Sequence, residues 1–178
     1  GVLGVEESTS GDVAKRAGNE FLFQMQALAN IEVMNSYNIK KIITTCPHSF
    51  NILKNEYPDL GGNYEVYHHS EFVHDLIESK KITISQNSIE EVMTYHDPCY
   101  LGRGNNIYNQ PREIIKRLSK NFIEMPRNKR NSLCCGAGGA QMFKEAEKGS
   151  AEINIVRTQE ALDTKSKIIV TGCPFCNT

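Results

Sequence analysis

The chain has 178 residues, with 39% hydrophobic and 23% charged residues, so it can bury a sizeable core and is neither disordered nor a coiled coil. Its net charge of −1 gives no electrostatic signature of nucleic-acid binding. No apolar run approaches the ~20 residues of a membrane helix, and no signal peptide is present. Because the chain starts abruptly at Gly1 and stops just after a CxxC, we expect it to be a piece of a longer protein.

Periodicity and turn residues predict helices and strands that alternate along the chain, which indicates an α/β fold with mostly parallel short sheets flanked by helices. On the longest predicted helix, apolar Phe21, Met25, Leu28 and Ile31 lie near one face. The predicted helices are 12–37, a short helix from Pro47, 71–79, 111–118 and most of 143–164, and the predicted strands are 39–45, 64–68, 91–96, 121–125 and 167–171.

An internal repeat divides this pattern in two. The segment 40–49 matches the segment 167–176, since both contain a basic residue, a β-branched run and Cys-Pro. The Gly11-Asp12 pair falls on Gly138-Gly139 at the same offset. A period this long indicates two pseudo-repeated lobes rather than a solenoid. The predicted lobes are residues 1–88, truncated at its N-terminus, and residues 89–178, which is complete.

The cysteines carry the strongest chemical signal. Cys46, Cys99 and Cys173 each follow a predicted strand, where ligands gather in α/β folds. The second lobe contains five thiols in three groups, too many for one tetrahedral zinc ion, which takes four ligands. Thiolates in that number suit a multi-iron cluster with sulfide. Electron transfer is therefore the leading hypothesis. The five are Cys99, Cys134, Cys135, Cys173 and Cys176.

The surroundings of these cysteines favour thiolates. Cys173 and Cys176 are three residues apart in a predicted helical turn, whose free N–H groups and dipole favour negative charge. The Cys134-Cys135 pair runs into a glycine loop that lets the backbone approach a cluster and offers N–H groups to it. The glycines concerned are Gly136, Gly138 and Gly139.

Other interpretations of the cysteines stay open at this point. Zinc could bind four of the five sulfurs and stabilise a non-redox interaction domain. Cys173 and Cys176 could instead form a metal-free dithiol that cycles with a disulfide. A framework of three disulfides fits poorly, because it requires an oxidising compartment and the chain has adjacent cysteines.

Three segments of the second lobe, with support from the first, resemble a known family. Residues 95–103, 134–139 and 173–176 resemble the CCG cysteine-rich domain of heterodisulfide reductase, of glycolate and lactate oxidase iron–sulfur subunits, and of related membrane-associated oxidoreductases. Residues 18–20 and 55–58 resemble the last group in particular. The resemblance covers almost the whole chain.

The resemblance implies an oxidoreductase subunit or fragment in which the five cysteines ligate a [4Fe-4S] cluster, of the non-cubane type described for heterodisulfide reductase. It also implies a redox partner protein, either a flavoprotein or another iron–sulfur subunit. We expect a cytoplasmic location or one at the inner face of the membrane, with any peripheral membrane association through parts outside this chain, and no nucleic-acid partner.

The first lobe departs from the family pattern. Ser49 stands where a second CxxC sulfur would be, and residues 7–9 replace the cysteine pair, so Cys46 alone remains and we predict no cluster in this lobe. The emptied site could receive a substrate or redox partner, or be a vestigial scaffold. Among the histidines, His48 and His69 are the candidate catalytic residues, through proton relay or metal binding.

Overall fold

The computed structural model describes residues 1–146 and 148–178. In these residues short helices alternate with four-residue strands, as the sequence predicts for an α/β fold. The helices are α1 (Asp12–Arg16), α2 (Glu20–Ser36), α3 (Pro47–Asn55), α4 (His69–Glu78), α5 (Cys99–Gly102), α6 (Asn109–Leu118) and α7 (Ile153–Asp163), and the strands are β1 (Lys41–Thr44), β2 (Glu65–His68), β3 (Met93–His96) and β4 (Ile168–Thr171).

The strands form two separate parallel pairs, one for each half of the sequence. β1 pairs with β2, and β3 pairs with β4. β1 and β4 start 127 residues apart, at Lys41 and Ile168, which is the offset of the sequence repeat. α2 and α7 also end 127 residues apart, at Ser36 and Asp163. The observed elements thus carry the periodicity that the sequence predicts.

The predicted helix over residues 12–37 is in fact two helices. Gly18 has a positive φ of 85° between them, a conformation that glycine adopts without strain. Asn19 then begins α2 as its N-cap, because its side chain accepts a hydrogen bond from the Leu22 amide at 3.1 Å. The turn ends α1 and changes the direction of the chain before α2.

The prediction of which face of α2 packs inward was wrong for three of its four residues. Ile31 is buried, but Phe21, Met25 and Leu28 are at least half exposed. The core side of α2 is instead formed by residues four, eight and eleven positions along from its first member, as a helix requires. These residues are Phe23, Ala27, Ile31 and Met34.

Two further elements are shorter than predicted. The predicted helix over 143–164 begins only at Ile153, because Gly149 and Ser150 are poor helix formers, and its residue 147 lies outside the described residues. The predicted strand over 121–125 is reduced to a single bridge between Met93 and Phe122. Pro126 follows directly and cannot donate a strand hydrogen bond, so the pairing does not continue.

Buried apolar side chains connect the two halves of the sequence. The larger core cluster is built on α2 and α3 but also contains Leu101 and Ile107 from beyond residue 88. A smaller cluster surrounds Met93, Tyr95 and Ile115. The carboxyl ends of β1 and β4, and the loops that follow them, lie against this shared core.

Candidate functional site

The five cysteine sulfurs of the second half converge on one region. Sγ of Cys135 lies 3.2 Å from Sγ of Cys176. Cys134 interacts with both Cys99 and Cys135, and Cys173 interacts with Cys176. The contacts therefore form a continuous chain of sulfurs from Cys99 to Cys173. Cys173 is buried and the other four are partly buried.

This packing does not allow five thiolates to coexist in the absence of a cation. Hydrogen bonds from Cys135 and Cys99 lower the pKa of Cys134, and a hydrogen bond from Cys176 lowers the pKa of Cys173 to about 5. The same contacts raise the pKa values of the donors Cys99, Cys135 and Cys176. Like charges at this distance repel, so full deprotonation requires a positively charged core. The donor set therefore fits a metal–sulfur group.

The glycine loop after the cysteine pair allows a close approach of the backbone. The Gly136 amide donates to Sγ of Cys134 at 3.3 Å. Gly136 has a φ of +89°, and a Cβ there would lie 2.6 Å from Ile153 Cγ2. A Cβ on Gly138 would lie 2.8 Å from the His48 ring. Both positions therefore exclude larger residues, whereas Gly139 meets no atom within 4 Å.

His96 lies beside the sulfurs and is held from the other side by Arg157. One of its ring nitrogens and the sulfurs of Cys135 and Cys176 lie within 4.8 Å of one another. Arg157 Nε donates to His96 Nδ1 at 2.9 Å. Burial, followed by the charge of Arg157, lowers the pKa of His96 to about 4, so the ring is neutral at pH 7. Because Nδ1 accepts, the proton of the neutral ring resides on Nε2.

A buried ion pair anchors the loop that carries Cys99. Both carboxylate oxygens of Asp97 accept from Arg112 at 2.7 Å. Asp97 also accepts from the Lys129 amide at 2.7 Å, which fixes the segment leading to the cysteine pair. The side chains of Arg112 and Asp97 are 4% and 3% exposed, so this is not the surface pair that the sequence suggests for Arg112. Arg103 donates to the Ser132 carbonyl of the same segment.

Two histidines of the first lobe reach the loop after β4. His68 is fully buried, and its Nε2 donates to the Gly172 carbonyl at 3.0 Å. His48 is 3% exposed and interacts with Cys173. Burial opposes the charged form of His48, but hydrogen bonds with Asp12 and Cys173 outweigh it and raise its pKa to about 9.

His69 lines a cleft beside Cys173. The cleft has a volume of about 300 Å³ and lies at the carboxyl ends of β1 and β4. Burial lowers the pKa of His69, and its Nδ1 is buried with no hydrogen-bond partner among the described residues. Thr171 Oγ1 is in the same condition. The lining residues are Thr45, His69, Thr171, Gly172, Cys173, Pro174 and Asn177.

The corresponding position of the first lobe has hydroxyls where sulfurs would be expected. Ser49 Oγ donates to Ser10 Oγ at 3.2 Å, and the Gly11 amide donates to Thr9 Oγ1 at 3.4 Å. Cys46 is the single cysteine of this lobe, and burial raises the pKa of its thiol. These groups satisfy one another, which leaves few donors for a metal.

Sequence reasoning missed two residues that organise the site. The sequence marks Asp12 only as part of the repeat, although its carboxylate binds His48 Nδ1 at 2.9 Å. Arg157 was not singled out, although it is 4% exposed and contacts His96. The available signal was Arg157 lying four residues before buried Ala161, on the core-facing side of α7.

Comparisons with known proteins identify the second half. The sequence profile of the CCG cysteine-rich domain matches residues 93–178. The chain is 46% identical to the probable iron-sulfur-binding oxidoreductase FadF of Bacillus subtilis, over 99% of this chain and 25% of that protein. It is 45% identical to the EtfAB:quinone oxidoreductase of Syntrophomonas wolfei, over 100% of this chain and 26% of that protein.

A more distant relative points to the same class of protein. The chain is 33% identical to one of the subunits of the dihydromethanophenazine:CoB--CoM heterodisulfide reductase of Methanosarcina barkeri, over 98% of this chain and 44% of that protein. The chain thus spans about a quarter of the length of the first two relatives. No solved structure matches it. Within the described residues, no helix combines the length and the apolar character needed to cross a bilayer.

Proposed function

Because residues 93–178 belong to the CCG cysteine-rich domain family, we propose that this chain is the electron-transfer module of an iron–sulfur oxidoreductase. Its second lobe would bind one [4Fe-4S] cluster, of the non-cubane type. The observation that carries the proposal is the convergence of five sulfurs whose protonation states conflict in the absence of a cation. The names of the relatives support iron–sulfur redox chemistry.

The proposed ligands are Cys99, Cys134, Cys135, Cys173 and Cys176. When bound, the cluster accepts and releases single electrons. The residues of this chain would bind it through thiolates and donate N–H groups to its sulfurs from the glycine loop. Apolar and buried side chains around Cys173 would limit the access of water, which also influences the reduction potential.

The cleft beside Cys173 is the proposed approach for a substrate or redox partner. His69 would hydrogen-bond a group that enters it, because its unpaired Nδ1 offers a partner there. The proposed partner is a flavoprotein or another iron–sulfur subunit, in line with the printed name of the Syntrophomonas relative. The proposed location is the cytoplasm or the inner face of the membrane.

The test is iron and acid-labile sulfide content after purification without oxygen. Wild type should contain iron and sulfide in equal amounts and absorb visible light that dithionite bleaches. Serine at any of the five proposed ligands should remove most of the iron and the colour. The matched control is Cys46→Ser, which replaces the cysteine of the first lobe and should leave the iron content unchanged.

Two other functions predict different outcomes. One zinc per chain and no colour would support a zinc-stabilised interaction domain. A metal-free protein with a reversible Cys173–Cys176 disulfide would support a dithiol oxidoreductase. Loss of iron in Cys46→Ser, with retention in Cys134→Ser, would contradict the proposed ligand set.

A further inference from the structure

His48 belongs to the first lobe but is enclosed by the cysteine loops of the second. It is the second residue of α3, directly after Cys46-Pro47. Its ring lies 4.6 Å from the Tyr100 ring and 4.7 Å from the Phe175 ring, measured between centroids. Tyr100 follows Cys99, and Phe175 lies between Cys173 and Cys176. The ring is therefore clamped between two of the three groups of proposed ligands.

The orientation of the ring is fixed by Asp12. Oδ2 of Asp12 lies 2.9 Å from His48 Nδ1, and the Asp12 side chain is 6% exposed. A second bond, from Arg16 Nε at 3.2 Å, holds the carboxylate in place. A carboxylate only accepts, so Nδ1 carries a proton and donates it. The opposite edge of the ring, with Cε1 and Nε2, is then directed away from Asp12.

That opposite edge faces the cysteine site. A Cβ on Gly138 would lie 2.8 Å from Cε1 and 3.2 Å from Nε2, so the ring packs directly on the glycine loop. The ring also interacts with Cys173, which is 4% exposed. A thiolate bound to a metal has no proton and only accepts hydrogen bonds. The ring nitrogen that faces such a sulfur must therefore be a donor.

We propose that His48 is a positioning residue of the first lobe that donates an N–H bond from Nε2 to the Cys173 sulfur and thereby makes the bound cluster easier to reduce. The inference depends on the proposed function, because it requires a cluster at these sulfurs. A donor to a ligand sulfur stabilises the additional negative charge of the reduced cluster, which raises the reduction potential. The lobe that has lost its own sulfurs then serves the site of the other lobe.

Two substitutions at His48 separate this hydrogen bond from simple packing. In His48→Asn the amide nitrogen replaces Nδ1, so the bond to Asp12 is kept and the reach to Cys173 is lost. In His48→Gln the longer side chain places its amide nitrogen near the position of Nε2 and restores a donor. His74→Asn is the matched control, since His74 is a histidine of the same lobe that pairs with Glu113.

The measurement is a redox titration of the intact protein, followed by the electron paramagnetic resonance signal that Cys99→Ser removes. At the wild-type midpoint, His48→Asn should hold about a tenfold lower ratio of reduced to oxidised cluster, which is ~59 mV for one electron. His48→Gln and His74→Asn should stay close to wild type. Iron content, measured on the same samples, should equal that of wild type in all three variants.

An unchanged midpoint in a fully loaded His48→Asn protein would overturn the inference and leave the proposed function intact. Equal shifts in His48→Asn and His48→Gln would also overturn it, because packing would then explain the effect. If His48→Asn cannot be loaded, Asp12→Asn is measured instead, and a midpoint equal to wild type or a second failure to load would reject the inference. A wild-type protein without iron and sulfide would reject the proposed function itself.

Discussion

At the scale of single residues, buried charges hold the sulfur-bearing loops in place. The Arg112 guanidinium binds Asp97 through two parallel hydrogen bonds and also contacts Glu124. Removing one partner of a buried pair leaves the other charge uncompensated, which is more costly than the pair itself is worth. The loop of Cys99 therefore depends on a residue that is remote from it in sequence.

We expect Arg112→Met to lower the free energy of unfolding by about 3–5 kcal/mol, because Asp97 would remain buried without its counter-charge. Urea denaturation monitored by circular dichroism measures this. The control is Arg117→Met, since Arg117 pairs with Glu78 at the surface and should contribute less than about 1 kcal/mol. Equal losses in the two variants would contradict the account of the buried pair.

The sequence reveals the cysteines but not the groups that orient them. Thiols that follow strands and enter a glycine loop can be identified because their residue types are rare and their chemistry is specific. Asp12 and Arg157 use common residue types, and their partners His48 and His96 lie 36 and 61 residues away. Such pairings arise from tertiary contacts that a local pattern does not contain.

At the scale of elements, α2 illustrates how a turn changes which face is buried. Phe23 is 1% exposed and Phe21 is 75% exposed on the same helix. The sequence offers apolar residues on both sides, so periodicity alone does not decide between them. The break at Gly18 and the cap at Asn19 set the rotation of the helix against the core.

Phe23→Ala should therefore destabilise the protein by about 3–5 kcal/mol, because it opens a cavity in the larger core cluster. Phe21→Ala is the matched control in the same helix and should change stability by no more than about 0.5 kcal/mol. Chemical denaturation of both variants provides the comparison. A larger loss in Phe21→Ala would show that the solvent-exposed face of α2 is covered.

The junction of β2 and α4 predicts a pH dependence. His68 caps α4 and is fully buried, and burial followed by the charge of His69 lowers its pKa to about 4. In the unfolded chain its pKa is near 6.5. The unfolded state therefore binds more protons between these values, so this contribution to stability is complete above about pH 6.5 and is lost as the pH falls toward 4.

We expect His68→Gln to flatten this part of the stability profile. The free energy of unfolding of the metal-free wild type should fall by on the order of 2–3 kcal/mol more than that of the variant between pH 6.5 and 4. Urea titrations at several pH values measure the difference. Parallel profiles for the two proteins would contradict a neutral, buried His68.

At the scale of the whole molecule, the repeat explains the architecture and its asymmetry. Both lobes have a parallel strand pair with Cys-Pro at its carboxyl end, and the offset of 127 residues could be derived from sequence because it repeats an unusual motif. The shared core could not be derived in the same way. Leu101 and Ile107 pack with residues of α2 and α3, a contact between segments without sequence similarity.

This shared core predicts that the two lobes unfold together. The bonds of His68 to Gly172 and of Asn105 to Asn51 also cross the boundary at residue 88. Thermal unfolding of the metal-free protein should thus be one transition, with equal calorimetric and van't Hoff enthalpies. Two separated transitions, or a stable isolated 89–178 segment, would contradict the prediction.

The most direct test of the central claim is X-ray absorption at the iron and zinc edges, on protein purified without oxygen. We predict about four irons per chain, each with sulfur neighbours and a short iron–iron distance, and no zinc above background. The signal should disappear in Cys135→Ser and persist in Cys46→Ser. A zinc edge with four sulfur neighbours and no iron would contradict the claim that these five cysteines bind an iron–sulfur cluster.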